Sequence, residues 1–178
     1  MKGVLLNAVE EAVSARWGEQ MWDELLTACD LEGAYTALGN YPDAELVALA
    51  HAAADRLGCS VDDVQRTLGR LTFKPLMARY AGFPEAPTSL REFLPKVNAV
   101  IHPEVLKLYP GASVPRFALR DNGDELELDY LSVRDMCMLA EGLVMGVADF
   151  YGEAVVVDQP SCRQRGDSRC TIRIKAAG

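Results

Sequence analysis

Near residue 111 the chain changes its hydrophobic period, and that change limits the architectures open to it more than any other feature. Before it, apolar residues recur at helical spacing. Leu5, Ala8, Val9 and Ala12 mark one face of a helix over about 3–16, with Glu10 and Glu11 turned away. Met21, Trp22, Leu25 and Leu26 mark a second over about 19–29, and a third runs from about 43 to 57, opened by Asp43 and stopped by Gly58. Ser60, with Asp63 three residues on, resembles a capping box and starts a fourth helix reaching about 80, which Pro75 is expected to kink or divide. A loop over 82–87 leads to another helix entry at Ser89 and Glu92. Pro95 and Pro103 fall inside the segment that follows, and each removes a backbone donor. That segment is predicted to be kinked or broken and to end at Tyr109-Pro110-Gly111.

Beyond the turn the pattern alternates. Asn122-Gly123 between the runs 116–120 and 125–131 is a strong hairpin signal, and Leu126, Leu128 and Tyr130 alternate with Glu125, Glu127 and Asp129. A long helix is predicted over 134–151, carrying Met138, Leu139, Leu143, Val144 and Val147. The runs 154–158 and 170–175 then form a second hairpin. The fold class is α+β: a mostly helical N-terminal part, and a C-terminal four-stranded antiparallel sheet packed with a long helix. No repeat, low-complexity tract or Ser/Gly-rich linker divides the 178 residues, so one domain is expected over 1–178.

Charge narrows the function. Eighteen basic against 26 acidic residues give a net charge of −8 and a pI near 4.8. That opposes nucleic-acid binding, which needs a basic stripe, and docking on an anionic membrane. No apolar stretch approaches the ~20 residues a membrane helix requires, and the apolar stretch at the N-terminus is too short for a signal peptide. A cytoplasmic protein is expected. Five cysteines at irregular spacing are not a secreted disulfide framework.

Two groups of residues carry chemistry. Tyr130, Ser132 and Arg134 fall at i, i+2 and i+4, which in extended backbone project to one side. Two hydroxyls and a guanidinium would converge beside the start of the next helix, an arrangement suited to a carboxylate or phosphate. A core tyrosine, a capping serine and a solvated arginine are the simpler alternative. His102 lies among Val100, Ile101, Val105 and Leu108, where a satisfied core histidine is the simpler alternative to a ligand. His51, amid Leu46, Val47, Ala50 and Ala54, reads as structural. A hydrolase using His102 and Ser132 lacks the G-x-S-x-G elbow, and no P-loop, Rossmann glycine pattern, HExxH or CxxC is present.

An imidazole on an apolar helix together with an anion-binding cluster matches a metalloporphyrin, with iron on the histidine and propionates on the cluster. The chain resembles the H-NOX (haem-nitric oxide/oxygen binding) domains, which are related to the haem-bearing part of soluble guanylate cyclase. The likeness runs nearly end to end. It rests on Met1-Lys2-Gly3, Ile101-His102 with Lys107-Leu108-Tyr109, Val114-Pro115-Arg116, the Y-x-S-x-R of residues 130–134 and Ala140-Glu141-Gly142-Leu143. The resemblance implies haem b sandwiched between a distal helical part, about 1–60, and a proximal α+β part, about 61–178. It makes His102 the iron ligand, Tyr130, Ser132 and Arg134 the propionate grip, and Pro115 the residue pressed on the porphyrin. Distal positions fall on Leu5, Phe73, Leu76 and Leu139. Members that hold O2 place a tyrosine where this chain has Leu139. The distal wall is apolar apart from Thr72 and Tyr80 nearby, so the expected ligand is NO, with CO also accepted and O2 held poorly. NO weakens the iron–histidine bond, the bond breaks, and the segment 97–111 shifts. Pro103, directly after the ligand, departs from a smooth proximal helix.

Some bacterial members hold zinc with three cysteines and a histidine. Cys137, Cys162 and Cys170 match the cysteines, but the histidine position holds Gln159, a poor zinc ligand. Zinc with another donor and a thiol redox pair both remain as readings, and a cysteine/zinc-based redox sensor with haem secondary is the alternative function. Cys29 and Cys59 read as ordinary buried residues. No catalytic activity is expected. The chain ends at Gly178 without an output domain, so the signal is expected to reach a separate protein, by the family's pattern a histidine kinase or a cyclic-di-GMP enzyme.

Overall fold

A computed structural model describes residues 1–79 and 86–177. Helices come first. α1 (Gly3–Trp17) and α2 (Glu19–Cys29) are joined at Gly18, whose φ of 93° lets the chain turn without a Cβ in the way. α3 (Asp43–Leu57) stops at Gly58, as expected, and α4 (Val61–Ala78) starts with Ser60 Oγ accepting the Asp63 amide at 3.1 Å. Pro75 does not divide α4: one helix runs through it. The loop expected over 82–87 lies outside the described residues as far as Glu85, as does Tyr80.

The proline-bearing segment breaks into three. α5 (Leu90–Lys96) is capped by Ser89, whose Oγ accepts the Glu92 amide, while Glu92 in return accepts the Thr88 amide at 2.9 Å. A π-helical turn (Val97–Ile101) follows, then α6 (His102–Leu108). The wider turn has a cause in the sequence. Pro103 has no amide to donate, and the His102 amide reaches back five residues to the Val97 carbonyl.

β1 (Arg116–Asp121) and β2 (Glu125–Leu131) form the Asn-Gly hairpin, with Gly123 at φ 82°. α7 (Cys137–Tyr151) separates them from β3 (Val155–Ser161) and β4 (Cys170–Ala176). The sheet is antiparallel in the order β1-β2-β4-β3, so β4 inserts beside β2 and the two hairpins lie side by side. Tyr130 stands opposite Cys170, and Asp129 opposite Thr171.

Two apolar cores divide the molecule. One gathers Leu6, Val9, Val13, Leu49, Val64 and Leu68 from the first four helices, and Met136 and Leu139 join it. The other packs α7 on the inner face of the sheet through Met138, Val144, Leu128, Tyr130 and Ile172, with Phe73 of α4 and Phe93 of α5. α4 therefore serves both. Its crossing with α7 is close: a Cβ on Gly69 would lie 2.2 Å from the Leu139 carbonyl oxygen, and one on Gly142 2.0 Å from that of Arg66. Only glycine permits that approach. Arg66 Nε then reaches the buried Glu141 at 2.9 Å.

Candidate functional site

His102 opens α6 in a segment where no residue is fully buried, from Val97 to Leu108. Its imidazole is half-buried and stacks on Phe117 of β1, with ring centres 5.9 Å apart and planes 28° apart. Burial lowers its pKa, and the Pro115 backbone carbonyl, which faces the ring, opposes that shift. Among the described residues the buried Nδ1 has no hydrogen-bond partner of ordinary geometry beyond this facing carbonyl. His102 is thus a neutral imidazole short of a partner, among apolar neighbours.

Asn98, one turn before His102, fixes this segment to the sheet. Its side chain donates to the Phe117 carbonyl and accepts the Phe117 amide at 3.3 Å. It thereby satisfies the free edge of β1. Phe117 in turn lies 5.9 Å from the Tyr130 ring, so a row of rings runs from His102 to Tyr130. Neither Asn98 nor Phe117 was singled out from the sequence. The only local hint is an asparagine four residues before the histidine in an apolar run.

Tyr130, Ser132 and Arg134 do come together, but not as sequence periodicity suggests. β2 ends at Leu131 and α7 starts at Cys137, not near 134. Ser132 accepts the Arg134 amide at 3.0 Å, a local turn that competes with helix and delays its start. Tyr130 therefore stands near the end of β2, with Ser132 and Arg134 in the loop after it and not on a helix N-terminus. Burial raises the Tyr130 pKa, while the Ser132 hydroxyl and the Arg134 charge pull it back. Arg134 Nε donates to Asp43 at 2.7 Å. Burial pushes the Asp43 carboxyl up, but the Met1 amino group at 2.9 Å and Arg134 outweigh it and hold it below the usual range. The second hairpin pins the same loop: Arg163 donates to the Ser132 carbonyl and Gln164 to that of Asp135. Arg134 borders an open cleft of about 530 Å³ that also includes Asp43, Gln65 and His51. His51, read as structural, is exposed there.

Of the distal candidates, Leu5 and Leu139 pack into the core of the first helices, Leu5 only partly buried. Phe73 belongs to the adjoining core, and Leu76 is half-buried outside both. Thr72, on the same helix, is buried, and its hydroxyl has no partner among the described residues.

The three cysteines meet. Cys137 and Cys162 sulfurs lie 3.6 Å apart, those of Cys162 and Cys170 3.9 Å, and all three fall within 4.8 Å of one another, fully buried. Burial, followed by the neighbouring thiols, raises the Cys137 pKa strongly. Gln159 donates to the Cys137 carbonyl at 3.2 Å, and among the described residues its buried amide oxygen has no partner. The other two cysteines depart from the expectation of burial: Cys29 is half-buried and Cys59 exposed. Among the described residues, no helix is long and apolar enough to cross a membrane.

Comparison with known proteins places this arrangement. The model of the haem-NO-binding family matches residues 2–159. An H-NOX protein from S. oneidensis in the Fe(II)NO state shares 28% identity, with 100% of both chains covered and a TM-score of 0.90. The Fe(II)CO form of the H-NOX domain from Shewanella oneidensis gives 28% identity and a TM-score of 0.87, over 100% of this chain and 99% of that one. The unliganded Fe(II) H-NOX protein from K. algicida shares 25% identity over 100% and 97% of the two chains, with a TM-score of 0.83. No match was found among curated proteins. With the family model covering most of the chain and a row of rings linking His102 through Phe117 to Tyr130, the chain belongs to the haem-NO-binding (H-NOX) family, haem-based gas sensors whose ligands include NO and CO.

Proposed function

We propose that this chain is an NO-selective sensor that binds haem b through His102 and passes its signal to a separate cytoplasmic protein, a histidine kinase or a cyclic-di-GMP enzyme. The observation that carries the reading is the half-buried imidazole of His102, held neutral beside the Pro115 carbonyl on a segment in which no side chain is fully buried. A neutral imidazole with one nitrogen turned to a backbone carbonyl has the other free to ligate a metal, and the residues around it suit haem. His102 would hold the iron of haem, which when bound would supply a site for the gas.

The chain's own residues do the rest. His102 is kept neutral by burial, the form that ligates a metal. Tyr130 and Ser132 offer hydroxyl donors and Arg134 a guanidinium for the propionates, with Asp43 orienting that guanidinium. Pro115 lies against the imidazole and would bear on the porphyrin beside it. Leu5, Phe73, Leu76 and Leu139 give the distal wall no hydrogen-bond donor, and bound O2, which gathers negative charge, gains most from one. The domain reading follows: a helical distal part over about 1–60 facing a proximal part over about 61–178.

A second reading rests on the cysteine cluster. Tetrahedral zinc with bonds of about 2.3 Å sets sulfurs about 3.8 Å apart, and the observed spacings fit that edge. Cys137, Cys162 and Cys170 would hold the ion, with a fourth donor unassigned because Gln159 spends its amide nitrogen on a carbonyl. A redox role is less well supported: burial raises the Cys137 pKa, and a buried thiol so raised is a poor nucleophile. The test of the main reading is the spectrum of the reduced holoprotein in air. Rapid loss of any oxygenated form, with a clear change on adding NO, is expected. A stable oxygenated spectrum would refute NO selectivity and point to a distal donor, Thr72 first.

A further inference from the structure

Lys2 is buried, with 9% of its surface exposed, and among the described residues its charge meets no carboxylate. Its Nζ donates to the Leu38 carbonyl at 3.1 Å and to the Pro110 carbonyl at 2.9 Å, and it lies 5.8 Å from the centre of the Tyr109 ring. These partners come from two parts of the molecule. Leu38 belongs to the loop that closes the first turn of α1: the Gly3 amide bonds the Gly39 carbonyl, the Val4 amide that of Ala37, and the Lys2 backbone pairs with Asn40. Tyr109 and Pro110 end the segment that His102 begins.

The position is a poor one for stability alone. An ammonium next to a helix N-terminus opposes the helix dipole, and burying it costs more than burying a neutral chain of the same length. Two carbonyls and a ring face offset that cost only while Pro110 stays in place. The His102 segment is otherwise lightly held. None of its side chains is fully buried, and its front is tied to β1 by Asn98. Lys2 ties the rear to α1, whose next turn carries Leu5.

We propose that Lys2 is a positioning residue for His102: it latches the rear of the ligand-bearing segment to the opposite helical wall and sets how readily that segment departs. This rests on the reading that the segment moves when NO binds. Breaking the latch removes a charge-assisted hydrogen bond across the two parts, and the segment opens without NO.

The test is amide hydrogen exchange on the reduced holoprotein, with and without NO, for wild type, Lys2→Met and Lys2→Arg. In Lys2→Met, amides of residues 104–109 are expected to exchange roughly tenfold faster before NO is added, the scale set by one bond to a charged group. Amides of α7 and the sheet keep their wild-type rates, and Lys2→Arg, which retains donors on a long arm, restores slow exchange. Rates within twofold of wild type in Lys2→Met overturn the latch. Should Lys2→Met not fold, Lys2→Gln is read by the same thresholds. If wild-type exchange over 104–109 does not change with NO, the sensing mechanism fails, and the variant's rates without NO still decide on Lys2.

Discussion

Asp129 gives the sharpest number. It sits on the face of β2 opposite Tyr130, buried beneath Arg120, which chelates it at 2.6 and 2.9 Å, and accepts the Thr171 hydroxyl from β4 at 2.6 Å. These contacts lock the register that sets Tyr130 opposite Cys170. The Arg120 bond, against burial and aided by Thr171, lowers the Asp129 pKa from 3.8 to about 2. A depression of that size corresponds to about 2.4 kcal/mol of folding stability. Arg120 is itself 38% exposed, so solvent screening reduces the expectation to about 1–2 kcal/mol. Because the folded pKa is the lower one, this stability is fully present above the unfolded value near pH 4 and is lost as pH falls through about 2. Asp129→Asn removes the titrating group. Urea unfolding of both proteins at steps from pH 7 to pH 2 is the assay. Wild type is expected to lose about 1–2 kcal/mol more than Asp129→Asn, with the divergence starting below about pH 4. Other carboxylates held low, such as Asp158, titrate in both proteins and cancel. Parallel curves down to pH 2 would refute the assignment.

Gly142→Ala brings a Cβ to 2.0 Å from the Arg66 carbonyl oxygen, so α4 and α7 must separate by more than an ångström. We expect a loss of about 2–3 kcal/mol, read as a fall of roughly 5–10 °C in Tm, with haem content reduced because Leu139 and Phe73 ride on those helices. The cysteine cluster predicts one zinc per chain by elemental analysis, lost in Cys170→Ser and kept in Cys59→Ser, whose thiol is exposed; a metal-free wild type would remove the zinc reading. Tyr130→Phe keeps the ring beside Phe117 and deletes one hydroxyl, so haem dissociation should quicken about tenfold, the scale of one hydrogen bond to a charged group, with little change in Tm.

Much of the fold was legible because its signals are local. Ser60 and Ser89 start helices by bonding the amide three residues on, and Asn122-Gly123 closes the hairpin, all within a few residues. The crowded prolines also foretold a broken segment, and its π turn follows from the amide that Pro103 lacks. What the sequence hid depends on distance. The start of α7 moved because Ser132 found a nearer amide, and the insertion of β4 beside β2 is set by packing between hairpins that no spacing reveals. Within the site, His102 and the residues Tyr130, Ser132 and Arg134 stood out because residue type and spacing carry their chemistry. Asn98, Asp43 and Lys2 did not, since their partners lie 19, 91 and 108 residues away.

Gas sensing by this chain depends on one bond, between the His102 imidazole and haem iron. The most direct measurement is a titration of haem-free protein with reduced haem, followed by visible absorption and by resonance Raman in the iron–imidazole region, for wild type and His102→Gly. Wild type should take up one haem and show an iron–histidine vibration that disappears on adding NO, and His102→Gly should lack that vibration from the start while keeping its fold. An unchanged spectrum in His102→Gly, or a wild type that takes up no haem, would contradict the account.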